Sequence, residues 1–123
     1  MIKEDFIINV ISDDPFFCTK FATECNKYGF SLNFIELQDI FEENKNIFKD
    51  NLAIAIVDLD VENLDLANLI KVKNRIPVFG IYKKFNKTLH ARAKEKNFDL
   101  TFTKSLLINS IKSIVVHIVT QAD

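Results

Sequence analysis

A few aspartates and one lysine carry the chemistry this chain could perform. The run Ile54-Ala55-Ile56-Val57 is apolar and strand-like, and it ends abruptly in Asp58-Leu59-Asp60. A second apolar run, Ile7-Ile8-Asn9-Val10-Ile11, ends in Ser12-Asp13-Asp14-Pro15. Lys104 follows a later short run in Thr103-Lys104-Ser105. In an open parallel α/β sheet, side chains delivered at the carboxyl ends of strands meet at the edge where ligands bind. Aspartates brought together there offer the oxygen ligands that Mg²⁺ takes, and a lysine beside them offers a compact positive charge facing a phosphoryl group.

The elements that must position these residues are readable from the apolar pattern. Phe6 to Ile11 reads as a first strand. Asp14 is suited to cap a helix and Pro15 to begin it. That helix puts Phe17, Phe21, Cys25 and Tyr28 on a common side, and Gly29 is a natural stop. Phe30 to Ile35 reads as strand two, Leu37 to Phe48 as a helix, and Leu52 to Asp58 as strand three, continuously apolar as a central parallel strand should be. Leu64 to Val72 is a short helix and Val78 to Tyr82 strand four, entered through Ile76-Pro77. Thr88 to Lys96 is a polar helix with Leu89 and Ala93 inward, Leu100 to Thr103 a short fifth strand, and Leu106 to Thr120 a helix with Leu107, Ile111, Ile114 and Ile118 on one side. Strict alternation of strands and helices predicts one domain over residues 1–123: an α/β, flavodoxin-like doubly wound fold with a five-stranded parallel sheet in the order 2-1-3-4-5.

Composition narrows the function classes. The chain has 123 residues, 48% of them hydrophobic, enough to bury one core. A net charge of -1 and a pI near 6.1 give no basic surface for direct nucleic-acid binding. No segment approaches the roughly 20 continuous apolar residues of a membrane span, and the absence of a signal-peptide pattern at Met1-Ile2-Lys3-Glu4-Asp5 leads us to expect a cytoplasmic protein. Only Gly29 and Gly80 are glycines, so the glycine-rich loops of dinucleotide and nucleoside triphosphate binders are absent. Cys18 and Cys25 lie about 10 Å apart along one helix, too far for a disulfide, and read as reduced thiols. His90 and His117 stand isolated, without a nucleophile or metal-ligand spacing.

Taken together, Ser12-Asp13-Asp14-Pro15, Asp58-Leu59-Asp60, Ile76-Pro77-Val78 and Thr103-Lys104-Ser105 resemble the receiver domain of two-component response regulators, over essentially the whole chain. The resemblance implies transfer of a phosphoryl group from a partner histidine kinase or phosphotransfer protein to an aspartate, with no other enzymatic activity. Asp58 matches the phospho-acceptor and Lys104 the lysine that pairs with it. Asp13 matches the direct Mg²⁺ ligand, with Asp58 and the backbone carbonyl of Asp60 completing the set and Asp14 a further candidate. The side chain of Asp60 is expected to point away from Asp58, because side chains alternate along a strand. The resemblance also implies contact with an output domain or partner protein through the face built from the fourth helix, the fifth strand and the fifth helix. The chain ends soon after its last helix, at Gln121-Ala122-Asp123, and is expected to be either a stand-alone receiver or a fragment of a larger regulator.

The departures from the family pattern concern the switch. Ser12 stands where the family has the first acid of its pair. Tyr82 and Lys83 stand where it has a small hydroxyl residue and then a small residue. Thr101 occupies the usual aromatic position, and Ser105 replaces the proline after the lysine. Asp13, Asp58 and Lys104 favour a phospho-accepting receiver; Ser12, Tyr82, Lys83 and Ser105 favour a pseudo-receiver acting by protein contact alone. A nucleotide or flavin binder on the same fold is a remote third class.

Overall fold

Runs that are apolar on both faces can be buried only in the middle of a layered structure, and that is where the computed structural model puts them. It describes residues 6–36, 38, 53–61, 63–73 and 75–122. The strands are β1 (Ile7–Ile11), β2 (Ser31–Phe34), β3 (Ala53–Asp58), β4 (Val78–Tyr82) and β5 (Leu100–Thr103). The described helices are α1 (Pro15–Lys27), α2 (Leu66–Lys73), α3 (Lys87–Glu95) and α4 (Lys104–Ala122). The helix expected over Leu37 to Phe48 falls outside the described residues. The strands form one five-stranded sheet in the order β2-β1-β3-β4-β5, and all pairs are parallel. This is the flavodoxin-like order expected from the alternation.

Successive residues of β3 serve opposite faces. Ile54 and Ile56 join Ile8, Val10 and Ile81 in a core closed by Phe17, Phe21 and Cys25 of α1 and Leu107, Ile111 and Val115 of α4. Ala55 and Val57 join Ile11 and Val78 in a second core closed by Leu66, Ala67 and Ile70 of α2 and Ala93 of α3. The inward positions of α4 are thus Leu107, Ile111 and Val115, with Ile114 and Ile118 packed at the margin. Asn9 is a polar residue inside a buried strand, and it is satisfied: its Nδ2 donates to the Ile54 carbonyl at 3.0 Å and its Oδ1 accepts from Asn33 at 3.2 Å.

Helix starts are set by side-chain caps. Asp14 Oδ1 accepts the amide hydrogens of Phe16 and Phe17, at 3.1 and 3.3 Å, ahead of Pro15. Asn86 caps α3 through the Leu89 amide at 3.0 Å. After α1 the chain turns through Gly29 at φ +72, a conformation that costs other residues energy. Among the described residues no helix is long and apolar enough to cross a membrane.

The order of the strands reverses between β1 and β3, so the loops after them part and leave a crevice at their carboxyl ends. Gly80, in the middle of β4, keeps this region closely packed: a Cβ there would overlap the Leu59 side chain, with Phe98 in contact beside it. Leu59 directly follows Asp58, so the packing at Gly80 also holds the crevice. We expect Gly80→Val to cost about 1–3 kcal/mol by overpacking, read as a lowered denaturation midpoint with an unchanged m-value. An unchanged midpoint would show that Leu59 yields freely.

Candidate functional site

Asp58 closes β3 and is 2% exposed. A carboxylate taken out of water is costly unless donors surround it. Here Oδ2 accepts the Ser12 hydroxyl at 2.7 Å and the Lys104 ammonium at 3.0 Å, while Oδ1 accepts the Asp60 amide at 3.0 Å. Asn63 braces the same residue by donating to its backbone carbonyl at 3.0 Å.

Lys104 is the first residue of α4, set at the sheet edge by the strand before it. Its three ammonium hydrogens face three carboxylates: Nζ lies 2.8 Å from Asp60 Oδ2 and 3.0 Å from both Asp14 Oδ2 and Asp58 Oδ2. Burial alone would push the ammonium down, but the bonds from Asp60, Asp14 and Asp58 outweigh it and hold the group well above the ordinary lysine value. Asp14 is shifted the opposite way. Its bond to Lys104 holds the carboxyl below the ordinary value against a smaller effect of burial, with the Phe17 and Phe16 amides assisting. One side chain therefore caps α1 with one oxygen and pairs with Lys104 through the other.

The structure brings together Asp14, Asp58, Asp60 and Lys104, with Ser12 joining them. Asp13 is exposed and makes no hydrogen bond or ion pair with a described residue. The expectation for the Asp60 side chain is corrected. Its carboxylate points into the site, onto Lys104, and also accepts the Lys83 amide at 3.0 Å through Oδ2 and 3.3 Å through Oδ1. Asp60 lies in the turn beyond the end of β3, where the two-residue alternation of a strand no longer governs direction.

Tyr82 is 2% exposed, and its hydroxyl lies 2.9 Å from Thr101 Oγ1. His90 Nδ1, from α3, bonds to the same oxygen, so His90 is not isolated. Thr101 pairs in register with Gly80, two residues before Tyr82, so the tyrosine reaches diagonally across the two strands. Sequence reading singled out Tyr82 and Thr101 but not their contact. The signal was there: an aromatic and a hydroxyl exchanged between adjoining strands remain complementary. The described cysteines, Cys18 and Cys25, are free thiols, and burial pushes Cys25 up to about 12.

As donors for a metal, the carboxylates of Asp13 and Asp58 and the main-chain carbonyl of Asp60 are all hard oxygens. Asp58 Oδ1 keeps a lone pair beyond its bond to the Asp60 amide. Among the described residues no group of three or more His, Cys, Asp or Glu side chains is placed to hold a metal ion. Mg²⁺ needs only one or two carboxylates with water and a phosphate, so the set fits it in kind.

Removing the ammonium would leave a buried carboxylate unpaired, a loss that typically costs about 3–5 kcal/mol. We expect the lower end of that range for Lys104→Met, because Asp14 and Asp60 are open to water. Asp14, which its bond to Lys104 holds low in the folded state, stabilises above its unfolded pKa, near 3.9, and loses this as pH falls through the folded value. The deficit of Lys104→Met against the parent chain in urea unfolding should therefore be full at pH 7 and shrink near pH 3. A deficit independent of pH would refute the charge pairing.

No family model matches the chain, and no curated protein sequence matches it. Solved structures do. The N-terminal domain of a response regulator/sensory box/GGDEF three-domain protein from Carboxydothermus hydrogenoformans superposes with a TM-score of 0.73 at 15% identity, covering 94% of this chain and 95% of that one. The receiver domain of the TMAO respiratory system response regulator TorR gives 0.72 at 14% identity, covering 96% and 99%. A response regulator receiver protein from Pseudoalteromonas atlantica gives 0.67 at 12% identity, covering 95% and 99%. Likeness at such low identity is likeness of fold: the chain has the fold of a response-regulator receiver domain.

Proposed function

We propose that this chain is a receiver-type signalling module in which Asp58 accepts a phosphoryl group from the phosphohistidine of a kinase or phosphotransfer protein. The observation that carries the reading is the pairing of Lys104 with Asp58 at 3.0 Å, at the carboxyl end of the central strand. In the reaction, one carboxylate oxygen of Asp58 attacks phosphorus in line and forms the P–O bond of an acyl phosphate. The bond from phosphorus to the donor breaks, and its electron pair leaves with the donor, as imidazole from phosphohistidine or acetate from acetyl phosphate. Lys104 balances the charge on the new phosphoryl oxygens, and the Ser12 hydroxyl turns away from Asp58 to admit them. Asp13, Asp58 and the Asp60 carbonyl would hold Mg²⁺, which when bound supplies further charge neutralisation. The chemistry is confined to the module's own aspartate. A histidine kinase as partner implies a cytoplasmic setting, and the face of α3, β5 and α4 would meet an output domain or partner protein.

A second reading has its own observation. The Asp58 side chain is only 3% exposed and both its oxygens are already bonded. That suits a pseudo-receiver acting by protein contact without phosphate.

Intact mass after treatment with acetyl phosphate and Mg²⁺ separates the two. The phospho-acceptor reading expects one added phosphate, absent in Asp58→Asn. A phosphate surviving that substitution would overturn the assignment of Asp58, and no uptake from either acetyl phosphate or a phosphorylated kinase would leave the pseudo-receiver. Independently, millimolar Mg²⁺ should raise the melting temperature, because a cation that binds only the folded state stabilises it. Asp13→Ala and Asp58→Ala should each abolish the rise, and a flat response in the parent chain would refute the metal site.

A further inference from the structure

The carboxylate of Asp60 sits where the site's other donors converge. It takes one hydrogen of the Lys104 ammonium at 2.8 Å and the backbone N–H of Lys83 at 3.0 Å. An ammonium and a peptide N–H aimed at one point form an anion site. Asp58 Oδ2 shares the same Lys104 nitrogen, at 3.0 Å, so this anion site adjoins the carboxylate that would carry the phosphoryl group. A phosphoryl group brings about 1.5–2 negative charges and three acceptor oxygens. It would need these donors, and it would be repelled by a carboxylate already bound to them.

We propose that Asp60 is a built-in anionic plug: its carboxylate occupies a two-donor oxyanion site, formed by Lys104 Nζ and the Lys83 N–H, and must leave before a phosphoryl group or another tetrahedral oxyanion can enter. Its position allows both states. The side chain is 36% exposed and comes from a turn, so it can swing into water without disturbing the core. While it is in place, the end of β4 is held to the loop after β3 as a bound oxyanion would hold it. The plug therefore acts as a brake on anion entry and as a stand-in for the anion. It rests on the phospho-acceptor reading only in naming the group displaced; the oxyanion site is testable without phosphorylation.

Sulfate, a tetrahedral dianion, is the probe, and the Lys83 backbone amide in nitrogen–proton NMR spectra is the reporter. Asp60→Ala, and the neutral near-isostere Asp60→Asn, should bind sulfate at least tenfold more tightly than the parent chain, with shifts centred on Lys83 and Lys104. The rest of the spectrum reports whether each variant is folded. Sulfate affinities equal to the parent's in both variants would overturn the plug. A second arm measures phosphate uptake from acetyl phosphate, which should be at least fivefold faster in Asp60→Ala. Uptake at one common rate refutes the brake while leaving Asp58 as acceptor. A sulfate site that opens in variants taking up no phosphate sustains the plug and sinks the phospho-acceptor reading.

Discussion

The ammonium of Lys104 is the interaction on which the active edge of this molecule depends. Three carboxylates from separate segments meet it: Asp14 after β1, Asp58 at the end of β3 and Asp60 in the following turn. Without that charge they would repel one another across a site partly closed to water, where the dielectric is low and repulsion strong. With it, the loop after β1, the end of β3 and the start of α4 are tied to one atom. The tie is geometric as well as electrostatic, because an ammonium has three hydrogens and here each has an acceptor. The capping of α1 by Asp14 belongs to the same system, so the first helix and the last are fixed to the site by a common residue pair.

Such a cluster can form only because the sheet delivers its members. Parallel strands all end on the same side, and the reversal of order between β1 and β3 opens space where Ser12 and Asp58 emerge. The two cores on either face are indispensable to this: Ile54 and Ile56 on one side, Ala55 and Val57 on the other, hold β3 rigidly enough that a carboxylate at its end can be buried in register with its donors. Gly80 extends the same constraint to β4, since the Leu59 side chain fills the space a Cβ would claim.

How much of this was readable from the sequence follows from which interactions are periodic. The helices were readable because burial repeats every third or fourth residue, and the central strands because they are short, continuously apolar runs buried on both faces. Asp58 was readable because it terminates an apolar run. Lys104, after the mixed run Leu100-Thr101-Phe102-Thr103, was readable only through the resemblance, since a lysine there alone reads as a solvated surface residue. The direction of Asp60 was not, because it follows from a turn, where no repeat constrains the side chain. Nor were the bonds of Tyr82 and His90 to Thr101, which depend on the register between adjoining strands and on the helix packed beside them. Asp14 shows a mixed case: its helix cap was readable from Pro15 beside it, but its pairing with Lys104, 90 positions away in the chain, was not.

The unread contacts of Tyr82 and Asp60 converge on the end of β4. The Tyr82 hydroxyl is held by Thr101, on the side of α3 and β5, and the amide of the next residue, Lys83, is held by Asp60, on the side of the site. The peptide between them is thus clamped from both directions. Any rearrangement that links Asp58 to the α3–β5–α4 face by way of β4 must release at least one of the two clamps. Releasing Tyr82 would strip a buried hydroxyl of its partner, a loss of about 1–3 kcal/mol. Releasing Lys83 costs less, because the Asp60 carboxylate and the exposed amide can both turn to water. The cheaper motion is local to the site and leaves the tyrosine in place. On these energies, an event at Asp58 is felt first by the loops that carry Asp60 and Lys83, while the distant face keeps the conformation that the Tyr82–Thr101–His90 bonds impose.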